Sequence, residues 1–122
     1  MAATDPKFGT TPNQDNTYRM LNNGLSTPAY AATLAYTPIH HNTIYKPAAL
    51  TGAVTVNLTV TQCNVGDMFT YIASASGASR ITTFGTGFVS AGTLTAADGK
   101  SVTAKFIFNG TAFVELSRFV QP

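Results

Sequence analysis

The sequence predicts an all-β fold, an antiparallel β-sandwich of jelly-roll type, with an extended, loop-rich arm ahead of it. Three observations predict this class. From residue 51 onward, apolar residues alternate with Thr, Ser or Asn, the period of two that marks a strand buried on one face. Turn signals rich in Gly and Asn separate the strand-like runs at short, roughly even intervals. No segment carries an apolar stripe at helical spacing over a useful length.

Residues 1–30 read as the arm and residues 31–122 as the β-sandwich domain. Pro6, Pro12, Pro28, Pro38 and Pro47 all fall in the first fifty residues. Proline fixes φ and removes a backbone donor, so this half holds no long helix and no central strand. Large side chains are nonetheless spaced through it, whereas disordered tails are poor in aromatics. Phe8, Tyr18, Arg19, Met20 and Tyr30 are the candidate contacts of an arm that docks on a partner, because large amphipathic side chains dominate interface energetics. The competing expectation is a loop-rich wrap around the chain's own sandwich.

Strands are expected at Ala31–Ile39 and Thr43–Lys46, with His40-His41 as a bend between them. Ala53–Val60 sets Val54, Val56, Leu58 and Val60 on one face. A turn at Asn64–Asp67 leads to a strand at Met68–Ala73, and a turn around Gly77 leads to one at Arg80–Phe84. Gly85-Thr86-Gly87 breaks that strand, and Phe88–Thr95 resumes with an interruption at Gly92. Asp98-Gly99 marks the next turn. Lys100–Phe108 then places Val102, Ala104, Phe106 and Phe108 on one face. Asn109-Gly110 predicts a two-residue type I′ hairpin turn, since both central residues need φ > 0, and Thr111–Phe119 returns.

With 122 residues the chain fits one domain, and it reads as a complete short product beginning at Met1. A chain of this size buries only roughly two-thirds of its unfolded surface, so a monomer is marginal. Charged residues make up 10% of the sequence, against about 25% in ordinary soluble domains. The seven basic residues are scattered singly, and phosphate binding needs several cations in one groove, so no nucleic-acid partner is expected. Cys63 is the lone cysteine, which excludes an intrachain disulfide. Neither a signal peptide nor a long apolar span is read, so the expectation is a protein held in the cytoplasm until assembly, with no membrane partner.

Catalytic and metal-binding constellations are sparse. Asp67 and Asp98 occupy turn positions suited to Asx hydrogen bonding, and Asp5 and Asp15 lie in the polar arm. Glu115 is expected to face outward if Val114 and Leu116 point in, and it has no carboxylate partner for glycoside cleavage. His40 and His41 point to opposite sides of a strand, so one chain cannot aim both at one ion; only a threefold axis gathering three copies would make a site. Cys63 lacks a neighbouring base, and Gly85-Thr86-Gly87 lacks the rest of a phosphate loop. Asn57 and Asn109 match the glycosylation sequon but are explained by strand and hairpin preference. No catalytic residue, cofactor or metal is expected, and the chain reads as non-enzymatic.

Four stretches carry a resemblance to a known family: Lys46-Pro-Ala-Ala-Leu-Thr-Gly-Ala-Val-Thr-Val-Asn-Leu-Thr, Val65-Gly-Asp-Met-Phe-Thr-Tyr, Phe84-Gly-Thr-Gly-Phe-Val-Ser-Ala-Gly-Thr-Leu-Thr, and Phe106-Ile-Phe-Asn-Gly-Thr-Ala-Phe-Val-Glu-Leu-Ser-Arg. From Lys46 to its end the chain resembles a β-sandwich module of tailed-bacteriophage virion proteins, found in tail fibres, head fibres and capsid decoration proteins. That family often carries Trp where Phe113 stands. The resemblance implies a virion location, a homotrimer and no catalytic residues. With no heptads or repeats to build a fibre shaft, it implies a capsid decoration (cement) or head-fibre protein that binds the major capsid protein and stabilises the capsid surface. The alternative is a tail-fibre or tail-tip module that binds host-surface glycan, with Phe88 or Tyr71 as candidate contacts. An enzyme acting on cell-wall sugars through Glu115 is the third possibility.

Overall fold

A computed structural model describes residues 23–122. Ten strands form two facing sheets: β1 (Asn23–Ser26), β2 (Thr33–Tyr36), β3 (Asn42–Tyr45), β4 (Val54–Leu58), β5 (Met68–Ser74), β6 (Arg80–Phe84), β7 (Phe88–Val89), β8 (Leu94–Ala96), β9 (Ser101–Phe108) and β10 (Phe113–Val120). The larger sheet runs β1-β3-β5-β9-β10-β7 and the smaller β2-β4-β6-β8. The protein is all-β, as the alternation predicts.

Its winding differs from the jelly roll expected. The first six strands step back and forth between the sheets, and β3, β4, β5 and β6 each pair in parallel with the strand two before. Such a path is that of a short two-sided β-solenoid. Antiparallel pairing, the rule expected throughout, holds only for β6 with β8, β5 with β9, and β9 with β10. The physical reason is plain: a period of two reports a half-buried strand but not the direction of its neighbour. Parallel neighbours need a long connection, and here the connection is an arc, a strand in the opposite sheet, and a second arc.

The prolines acquire a role in this winding. Pro28, Pro38 and Pro47 each sit in a separate arc, between β1 and β2, β2 and β3, and β3 and β4. There the fixed φ and missing N–H cost no ladder hydrogen bond. β1 lies within the stretch expected to be arm, and it pairs with β3 from Asn23↔Asn42 to Ser26↔Tyr45. The boundary expected at residue 30 therefore falls inside the folded body.

Burial follows the predicted faces. Val54, Val56 and Leu58 of β4 and Val102, Ala104, Phe106 and Phe108 of β9 are all buried. Phe69 is the hub of the aromatic core, with Tyr45, Phe88, Phe106 and Phe113 at ring-centroid distances of 5.7–6.3 Å. Phe84 reaches across from the smaller sheet to Tyr71 and Phe106 at 5.3 and 5.0 Å. Edge-to-face aromatic pairs at such spacings add to simple area burial. The buried Tyr71 hydroxyl and Thr82 Oγ1 satisfy each other at 2.8 Å, and burial pushes the Tyr71 phenol up to about 12.

Two local features depart from expectation. The final hairpin loop is four residues long, Asn109–Ala112, closed by Asn109 N donating to Ala112 O at 3.0 Å. Asn109 Oδ1 accepts from the N–H groups of both Thr111 and Ala112 at 2.9 Å, which stabilises the longer loop. In β10 the register shifts between Glu115 and Ser117, leaving Leu116 as the extra residue of a β-bulge. Beyond it, Ser117 and Phe119 take the outward side, and Arg118 joins the inward side with Glu115.

Candidate interaction surface

Among the described residues, Asp67, Asp98 and Glu115 all accept hydrogen bonds within the fold. Glu115, expected to face outward, has a side chain only 5% exposed. Arg118 donates to it from Nε at 2.6 Å and from Nη2 at 2.8 Å. The same guanidinium donates to the backbone carbonyls of Thr93 at 2.9 Å and Gly92 at 3.0 Å. Glu115 Oε1 also accepts from Ala91 N at 2.8 Å. The bulge thus builds a clamp that holds the β7–β8 loop on β10. The Arg118 hydrogen bonds, and secondarily the one from Ala91, keep the Glu115 carboxyl below the usual carboxylate range against the opposing effect of burial. Beside the clamp, Val89, Val114 and Leu116 line part of a shallow, open depression of about 370 Å³.

Asp67 holds its own turn together, whereas Asp98, expected to do the same, ties two separate segments and pairs as a bridge with Ala75. Asp67 Oδ2 accepts from Asn64 N at 2.9 Å and its Oδ1 lies 3.2 Å from His41 Nδ1. Asp98 Oδ1 accepts from Gly77 N at 2.9 Å. His40 turns the other way and packs over β1, so close that a Cβ on Gly24 would lie 2.2 Å from its ring. The two histidines diverge, and among the described residues no three His, Cys, Asp or Glu side chains are gathered as metal ligands would be.

What the fold does present is surface. On the outer side of the smaller sheet, Thr33, Thr55 and Thr83 stand in register across three parallel strands, a row that stabilises the ladder through cross-strand pairing. The outer side of the larger sheet is different. One row across it runs Asn23, Asn42, Met68, Ile107, Val114, Val89, and the next runs Leu25, Ile44, Thr70, Lys105, Ser117. A third holds Ile72, Thr103 and Phe119. Leu25 is 70% exposed, Phe119 62% and Val89 55%. Lys105 stands in the middle row on the interior strand β9, and the exposed Lys46, two residues beyond Ile44 with its N–H donating to Ser26 O, follows on the same side. Single exposed apolar residues are ordinary, but a contiguous apolar field on one sheet face marks an interaction site.

Of the candidate partner contacts, Phe8, Tyr18, Arg19 and Met20 lie outside the described residues. Tyr30 packs against the core, sits over Gly52, and donates its hydroxyl to Ala53 O at 2.8 Å. It ties an arc to its own domain rather than reaching outward. Neither glycan candidate is presented: Tyr71 is fully buried, and Phe88 stacks within 5.7 Å of Phe69, Phe84 and Phe106. The apolar outer face escaped the sequence reading because Leu25 lay in the presumed arm and the bulge inverted the second half of β10. Alternation carried outward from β3, β5 and β9 would have found Ile44, Ile72 and Ile107. Searches against family models and curated proteins find no match to the chain.

Proposed function

We propose that this protein is a non-enzymatic bacteriophage virion protein, a capsid decoration (cement) or head-fibre protein that binds the major capsid protein and stabilises the shell as a homotrimer. The observation that carries the reading is the apolar, nearly uncharged outer face of the six-stranded sheet, on a chain whose buried polar groups are largely spent on holding its own loops. A molecule of this kind acts through the area it covers. The virion assignment itself rests on the resemblance of residues 46–122 to phage modules. In the proposed mechanism, oligomers sit at symmetry points of the shell and residues 1–22 grip neighbouring subunits, so that many weak contacts resist outward pressure together. The glycan-binding alternative has less support, since Tyr71 and Phe88 are taken up by the core.

The arm is tested in the full chain. Replacing Phe8, Tyr18 and Met20 together by Ala removes three large anchors, and occupancy of shells from the phage that encodes the chain should fall at least about tenfold in affinity. Full occupancy by the triple variant would rule out the arm as the grip.

A further inference from the structure

We propose that Asn109 is a site of self-modification. The fold activates its side-chain amide toward the backbone nitrogen of Gly110, so that Asn109 converts to aspartate and isoaspartate without an enzyme. The proposal is independent of the function proposed above.

The reaction needs a nucleophile, an electrophile and proximity, and the β9–β10 loop supplies each. The nucleophile is the Gly110 nitrogen. It belongs to an exposed residue with no side chain to crowd the approach, and it donates to none of the described residues. The electrophile is Cγ of Asn109. Its Oδ1 accepts from the N–H groups of Thr111 and Ala112, both at 2.9 Å. Two backbone donors on one carbonyl oxygen stabilise the negative charge that gathers there under attack, as an oxyanion hole does. Proximity comes from the same bonds. The ring closed by Thr111 N on Oδ1 contains Cγ, Cβ, Cα, the Asn109 carbonyl carbon and Gly110 N, the five atoms of the cyclic imide. The cap that holds the loop therefore folds Cγ back toward the nitrogen that attacks it. The leaving nitrogen is unrestrained, since Nδ2 is held by no described residue.

Solvent supplies the other reactants. Hydroxide removes the Gly110 amide proton, the nitrogen bonds to Cγ, and the Cγ–Nδ2 bond breaks to release ammonia. Water then opens the imide, and nothing is oxidised or reduced. Cleavage of the new bond leaves aspartate, which keeps an acceptor for Thr111 and Ala112 and adds a negative charge. Cleavage of the original peptide bond leaves isoaspartate, whose main chain runs through Cβ, so the cap is lost and the loop opens.

The chain carries its own control, because Asn-Gly occurs a second time at Asn23-Gly24 in β1. There Lys46 N donates to Ser26 O at 2.8 Å, and the alternation of a parallel strand turns the Gly24 N–H toward β3 as well. Its nitrogen is tied into the ladder, and no described N–H donates to the Asn23 side chain.

The test holds the full chain in heavy-oxygen water at mildly alkaline pH, folded and in concentrated urea, and reads label at each asparagine by peptide mass mapping. In the folded protein Asn109 should convert at least about tenfold faster than Asn23, a part of the ~10²-fold that one oxyanion donor supplies in a sheltered site. In urea the two rates should converge, with Asn109 slower than it is in the fold. A folded Asn109 that converts more slowly than the unfolded one overturns the proposal, because the two N–H groups would then protect the amide. Equal rates at Asn109 and Asn23 in the folded protein overturn it too.

Discussion

At Glu115 the physics of one residue decides between chemistry and structure. A carboxylate in a cleft beside an arginine suggests catalysis until its partners are counted. Arg118 donates to Glu115 from two nitrogens and to the carbonyls of Gly92 and Thr93. Little is left for a substrate. Because the folded carboxyl titrates below its ordinary value of 4.5, its contribution to stability is fully present above that value and is lost as pH falls through the lower, folded one. Glu115→Gln should therefore cost about 1–3 kcal/mol at neutral pH and remove part of the acid-induced loss of stability below pH 4.5. Urea unfolding at pH 7 and at pH 3 measures both. An unchanged midpoint in the variant would mean that the clamp is ornamental. This arrangement was not legible beforehand, since it depends on a bulge at Leu116 that no local pattern announces.

Single elements were more readable than their pairings. β4 and β9 were visible as alternating runs, because each has one face in the core and one outside, and the residue types record that directly. Pro28, Pro38 and Pro47 were visible too, but Pro28 was assigned to an arm and Pro38 to the end of a strand, when all three mark the corners between sheets. Proline says only that no ladder donor is needed there. Parallel pairing of β1 with β3 and of β2 with β4 brings together residues 19 and 22 apart in sequence, and no turn signal encodes such a partner. The β9–β10 hairpin lies at the opposite extreme, since it is local and Asn109-Gly110 announces it. Here Asn109 matters through its side chain, which accepts two N–H groups of the loop. Asn109→Ala should lower stability by about 1–2 kcal/mol, whereas Asn109→Asp should retain most of it. Thermal unfolding of the two variants separates this capping role from a simple preference for left-handed backbone. Equal losses would refute the capping account.

Considered whole, the molecule has one aromatic core, two thin sheets and very little charge. Short strands at the sheet edges, β1, β2, β7 and β8, leave few open backbone groups for indiscriminate pairing. The all-β class was readable from alternation and turn spacing. The apolar outer face was not, since its members come from β1, β3, β5, β9, β10 and β7, and only the winding of the chain lines them up. The proposed role as a shell coat follows from that surface together with the phage-like motifs, and it makes a demand on the particle rather than on the isolated chain. Thermal rupture of phage shells, followed with and without the purified protein, tests it most directly. The account predicts uptake that saturates at a fixed ratio to capsid subunits and a rise in the rupture temperature. A chain that stays in solution as a stable monomer, while the shells rupture at an unchanged temperature, would contradict it.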